Sequence, residues 1–244
     1  MPPLTLRYFD IRARAEPLRI LLVDAGADFV DERVPFDDAW TNNGKLEQPF
    51  SQLPTLDIVQ DDGTVFRLPE TIAITDYIEE TYCNIPARSP LNKAKANAVR
   101  DASLAFIDQH WEFFWADNFP KADAMQRREA RTVKWLSKMS AYLSGVPRQY
   151  LYGEPADGKG TNLTGAATWL FEALEIIEGQ FPGLLAESDP ELAAIHKAIA
   201  ARPRIAAYLA AGKGTKQITL SDIETEERKA AGREAWLKAR KTAA

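Results

Sequence analysis

Residues 4–26 read LTLRYFDIRARAEPLRILLVDAG, and the fold turns on how this stretch is divided. Leu4, Leu6 and Tyr8 alternate with Thr5, Arg7 and Phe9, the two-residue period of a strand. From Arg14 the apolar positions shift to Ala15, Leu18, Leu21, Leu22 and Ala25, the period of a helix. Gly26 is the expected helix stop. A strand that runs into a helix leaves Tyr8 at the strand's end, beside the unpaired amides of a helix N-terminus and the cations Arg12 and Arg14. This is an anion site with a phenol in it. A phenol there can donate a hydrogen bond to a thiolate and lower the thiol's pKa. The alternative reading is a tyrosine ring packed at a strand end with no chemical role.

The rest of the chain bounds the possibilities. With 244 residues, 45% of them hydrophobic, it can bury a substantial core as one large or two modest domains. A net charge of -5 argues against nucleic acid or an anionic membrane as the main partner. No apolar run approaches the roughly 18 residues of a membrane span, and no charged-then-apolar leader opens the chain, so the expected location is the cytoplasm. The lone cysteine, Cys83, leaves no disulfide framework and no redox pair. His110 and His196 stand far apart, so no metal site is expected. A thiol held at Tyr8 would have to come from a ligand.

Downstream, Asp31 to Pro35 reads as a short strand, and residues 36–50 as a polar loop carrying Trp40 and Lys45, a wall and a cation for a small anion or a tryptophan tucked under its own loop. A strand over 52–59 has Pro54 at its entrance, with the turn Asp61-Asp62-Gly63 and a second strand over 64–68 completing a hairpin. Proline there keeps the ladder intact and, if its peptide bond is cis, turns the backbone of Leu53 outward to pair with a peptide-like ligand. Glu70 and Thr71 head the next helix, either as a plain cap or as the grip on a ligand's ammonium and carboxylate. The proline-bearing stretch 84–92 reads as a linker, and helices follow over 94–115, 121–143, 164–178, 191–201 and 204–211. Beyond Gly214 the chain is strongly charged, with Trp236 favouring a docked tail helix over a frayed end.

These pieces, in this order, resemble the cytosolic glutathione transferases, and the tyrosine-type pi and sigma classes most closely. The resemblance rests on Y-F-x-x-R-x-R at Tyr8–Arg14, Trp40 with Lys45, Q-L-P at Gln52–Pro54, A-I-x-x-Y at Ala73–Tyr77, V-x-D at Val99–Asp101 and A-R-P at Ala201–Pro203. It implies an α+β thioredoxin-like N-terminal domain (βαβ-ββα) over residues 1–84, a linker over 85–92, an all-α domain over 93–214 and a charged extension over 215–244. It also implies glutathione as co-substrate, no metal, a small hydrophobic electrophile as second substrate, and a homodimer.

By position, Tyr8 is the expected thiol activator and Arg14 its support. Trp40 and Lys45 fall at the glycine end of glutathione, Gln52, Leu53 and Pro54 at the cysteinyl part, and Glu70 and Thr71 at the γ-glutamyl end, which Asp101 of a neighbouring subunit also reaches. Phe9, Ile11, Trp111 and Trp115 are expected to line the electrophile pocket, and Phe50 to act as the dimer key. The implied activity is conjugation of the glutathione thiolate to soft electrophiles. Glutathione-dependent isomerisation or peroxide reduction on the same site, or a non-catalytic binding or structural role, are the alternatives. Two departures from the family pattern stand out: Ala13 replaces a frequent glycine, and Ala167 replaces the acid of a helix capping box, an expected loss of ~1 kcal/mol at that helix start.

Overall fold

The computed structural model describes residues 4–35, 40, 44–85, 87–115, 122–148, 151 and 162–212, the side chains of 111–115 and 122–126 excepted. Strand β1 (Leu4–Phe9) alternates buried and half-buried positions as its pattern predicts, and the turn after it leads to helix α1 (Glu16–Ala25), closed by Gly26 at φ 69°. Strand β2 (Phe29–Val34) returns parallel to β1, with Tyr8 opposite Arg33. It begins two residues before the expected Asp31.

Strands β3 (Thr55–Val59) and β4 (Val65–Pro69) form the expected hairpin, and β3 pairs antiparallel with β1. The sheet order is β2-β1-β3-β4. Helix α2 (Thr71–Tyr82) follows. This mixed four-stranded sheet with its helices is the thioredoxin-like arrangement expected, and its core joins Leu4, Leu6, Leu18, Leu21, Leu22, Leu56, Ile74 and Ile78.

Helices α3 (Pro90–Trp115) and α4 (Ala122–Leu143) open the helical part. Helix α3 starts at Pro90, inside the stretch read as linker, because proline's fixed φ suits a first turn. Helix α5 (Gly165–Gln180) is apolar on nearly every side and is accordingly buried, packed on α3 and also against α1 and α2. Helices α6 (Leu184–Ser188), α7 (Pro190–Ala200) and α8 (Pro203–Ala210) complete the described chain. The five residues of α6 are too few to carry a readable periodicity, and the helix went unforeseen. The tail after Gly214 lies outside the described residues.

The start of α5 shows how the missing capping acid is replaced. Thr164 caps as expected, its Oγ1 accepting from the Ala167 amide at 3.3 Å. The amide of Gly165 donates to Glu79 Oε2 of α2 at 2.7 Å, and that of Thr164 to the Leu151 carbonyl at 3.2 Å. A carboxylate from the other domain thus supplies negative charge at this helix N-terminus. The same junction is tied by Asp24 at the end of α1, which takes the Leu163 amide at 2.7 Å and Arg202 at 2.6 and 2.9 Å. Among the described residues, no helix is long and apolar enough to cross a membrane.

Candidate active site

The end of β1 delivers Tyr8 to the junction of sheet, α1 and α3. Its ring is buried in an apolar cluster with Ala13, Ala15, Trp40 and Leu53, and Phe9 packs beside it at 5.3 Å between centroids. Burial pushes the phenol's pKa above its usual value, while the Arg14 backbone amide and the charges of Arg14 and Arg19 pull it down and Asp108 pushes it up. Burial wins. The hydroxyl therefore keeps its proton at neutral pH, which is the state that can donate to a thiolate.

The loop after Tyr8 carries Arg12 and Arg14, helix α1 carries Arg19, and the three part company. Arg14 stays at the site, its side chain 41% exposed, with Nε and Nη2 donating to Asp108 Oδ1 of α3 at 3.0 and 2.8 Å. Arg12, expected beside Tyr8, instead turns into the domain interface, where it meets Glu172 of α5 at 2.5 and 3.1 Å. Its guanidinium cannot be solvated there, and it gathers Glu16 and Glu175 as well. Arg19, fully buried, donates to the carbonyls of Ile11 at 2.9 Å and Phe9 at 3.3 Å and so braces the loop that holds Tyr8.

Sequence reading missed Arg19 and Asp108. A guanidinium amid the apolar face of α1, three residues after Glu16, was the readable sign of the first. Nothing local marked Asp108.

A shallow cleft opens next to this cluster, and its walls are Arg14, Pro49, Gln52, Leu53, Pro54, Pro69, Glu70 and Thr71. The Leu53–Pro54 peptide bond is cis, as the reading of Pro54 allowed. Leu53 lies two residues before Thr55, the first β3 residue and the one in register with Arg7 of β1.

Glu70, exposed at the cap position of α2, has φ 70°, makes no side-chain capping bond and lines the cleft, while Thr71 begins the helix. Positive φ at a non-glycine residue is costly and concentrates at ligand sites. Here Ala13, Phe50, Ser51 and Glu70 all adopt it around this cleft. Ala13, with φ 38°, explains why glycine would be at ease in that position.

The remaining expected residues are distributed as follows. Trp40 sets its ring edge-on to Phe9 at 5.1 Å and is buried in the same cluster, so it is both tucked in and adjacent to the site. Lys45 is exposed, and its amide donates to the Trp40 carbonyl at 2.9 Å, while Thr55 and Gln48 tie this segment to β3 through a 3.2 Å side-chain bond. Ile11 is half-buried against the Tyr8 cluster.

Asp101 is exposed on α3, touching Arg100 at 2.8 Å, and is not among the cleft's walls. Phe50 is 72% exposed beside β4. Trp111 and Trp115 lie on the last turns of α3, and their side chains fall outside the described residues. Burial with Glu79 and Asp24 nearby pushes the Cys83 thiol up to about 12, so the chain's own sulfur is a poor nucleophile.

The family model described as "Glutathione S-transferase, C-terminal domain" matches residues 106–212. Glutathione S-transferase 1 of Ascaris suum is 27% identical over 218 residues, 84% of this chain and 98% of that protein. The chain is similar to the cytosolic glutathione transferases. It is also similar to S-crystallin 2 of Enteroctopus dofleini, 29% identical over 118 residues, which is 48% of this chain and about half (52%) of the crystallin. The solved structure titled "Fasciola hepatica sigma class GST" superposes with a TM-score of 0.70 at 24% identity, covering 88% of this chain and 98% of that one, and this likeness extends the fold across both parts of the glutathione transferase architecture.

Proposed function

We propose that the protein is a glutathione S-transferase in which Tyr8 holds the sulfur of bound glutathione as a thiolate for attack on a small hydrophobic electrophile. The observation that carries this reading is the cleft walled by Arg14, Gln52, Leu53, Pro54, Glu70 and Thr71, with the protonated Tyr8 phenol packed against Leu53 beside it. Glu70 takes the ligand's ammonium, Thr71 and the α2 N-terminus its γ-glutamyl carboxylate, and Leu53 pairs its backbone with the cysteinyl unit. Lys45 and Trp40 serve the glycine end. The thiol proton leaves to solvent, the Tyr8 hydroxyl donates to the sulfur, and the thiolate forms the new bond to the electrophile as its leaving group departs. Phe9, Ile11, Trp111 and Trp115 would face the electrophile.

Residues 1–84 act as the glutathione-binding domain and 93–214 as the helical domain. The protein works in the cytoplasm as a homodimer, with Phe50 entering the partner and Asp101 reaching the partner's γ-glutamyl site. Exposed Leu46, Phe50, Val65 and Phe66 on and beside the edge strand β4 support such a contact.

Tyr8→Phe tests the reading. Loss of one hydrogen bond to a charged sulfur, ~1.5–3 kcal/mol, lowers turnover of a chloronitrobenzene substrate about 10- to 100-fold; unchanged turnover removes Tyr8 from the mechanism. The likeness to S-crystallin 2 supports a second reading, a structural protein on the same fold. Glutathione binding without conjugation would favour it, and recovery of unconsumed glutathione alongside an altered second substrate would favour an isomerase.

A further inference from the structure

We infer that Asp108 is a positioning residue of this site: its carboxylate anchors the Arg14 guanidinium across the domain boundary and limits the positive charge that reaches the phenol and the ligand's sulfur. The inference rests on the glutathione reading above. A single oxygen, Oδ1, receives both Nε and Nη2 of Arg14, at 3.0 and 2.8 Å. Arg14 stands on the loop after β1, and Asp108 stands on α3, so the pair crosses from one domain to the other at the cleft.

The three arginines of the segment divide the work. Arg12 and Arg19 are buried with carboxylates of the interface, while the Arg14–Asp108 pair is 41% and 34% exposed at the place where a ligand arrives. Charge held this close to solvent can be redistributed when an anion binds. Among the described residues the charged groups that act on Tyr8 are Arg14, Arg19 and Asp108, and Asp108 opposes the other two. Arg14 also presents its backbone amide to the Tyr8 hydroxyl. A shift in the Arg14 side chain is therefore felt on the same loop that fixes the phenol. Asp108 acts on the chemistry through Arg14 and not by touching substrate.

The test follows the ionisation of bound glutathione by its thiolate ultraviolet absorbance against pH, together with the pH profile of kcat/KM, in wild type, Asp108→Asn, Asp108→Glu and Asp108→Ala. Asn keeps an acceptor for Arg14 and removes the opposing charge, so half-ionisation of the bound thiol moves to lower pH, and kcat/KM on the acid limb rises about two- to fivefold. Glu restores the wild-type curve. Ala releases Arg14 and raises the KM for glutathione several-fold.

A wild-type titration curve in Asp108→Asn, or a fall in activity with that curve unmoved, overturns the role of Asp108 while leaving the glutathione site intact. A wild-type protein that shows no bound-thiolate signal overturns the site reading, and this inference with it.

Discussion

Glu172→Gln probes the buried charge cluster that joins α1 to α5. Two buried guanidiniums, Arg12 and Arg19, face four carboxylates, Glu16, Asp31, Glu172 and Glu175, and His196 of α7 meets Glu175 at 2.5 Å. The acids outnumber the cations, and Glu172 is fully buried. Burial, with Glu16 and Glu175 as neighbours, pushes its carboxyl up to about 8 against the pull of Arg12. In the unfolded chain the same group ionises near 4.5. Between these values the folded protein keeps a proton that the unfolded chain has released, so stability falls as the pH rises. The contribution is complete below about 4.5 and gone above about 8.

At about 1.36 kcal/mol for each pH unit the span is worth at most about 5 kcal/mol, and relaxation and water penetration around the buried group bring it to about 2–3 kcal/mol. Glutamine, which cannot ionise, matches the protonated acid. Urea unfolding of both proteins at pH 5, 7 and 9 should find them equal within ~1 kcal/mol at pH 5 and Glu172→Gln the more stable by about 2 kcal/mol at pH 9. A variant less stable than wild type by ~3 kcal/mol or more at every pH would mean that Glu172 is ionised and paired, and the charge argument would fall.

Two further outcomes test packing and assembly. A Cβ on Gly165 would meet Thr75 Cγ2 at 2.3 Å, so Gly165→Ala should cost ~1–3 kcal/mol in urea unfolding. Adding Thr75→Ser, which deletes that methyl and keeps the 3.1 Å bond from Trp169 Nε1, should recover most of it, and additive losses would refute the contact. Phe50→Ala should shift a dimer toward monomer in analytical ultracentrifugation; an unchanged mass at micromolar concentration would remove Phe50 as the dimer key.

Local patterns were enough for the elements themselves. The change from alternation to helical spacing between Tyr8 and Ala15, the turn at Asp61–Gly63, Thr164 as a cap, and prolines at helix starts each act within a few residues, so sequence alone located β1, α1, the β3–β4 hairpin and most of the helices. That Gln52 to Pro54 and Glu70 with Thr71 gather at one cleft was legible because each lies at an element boundary whose backbone chemistry is local.

Which charge meets which was decided only by tertiary structure. Arg12 and Arg14 sit two residues apart, equal in sequence terms, yet one enters the interface with Glu172, 160 residues away, and the other meets Asp108, 94 residues away. Glu79 likewise replaces an acid missing from another domain's helix. A charge is satisfied by whatever opposite charge the packing brings within hydrogen-bond reach, and that distance exists only once the two domains are closed on each other.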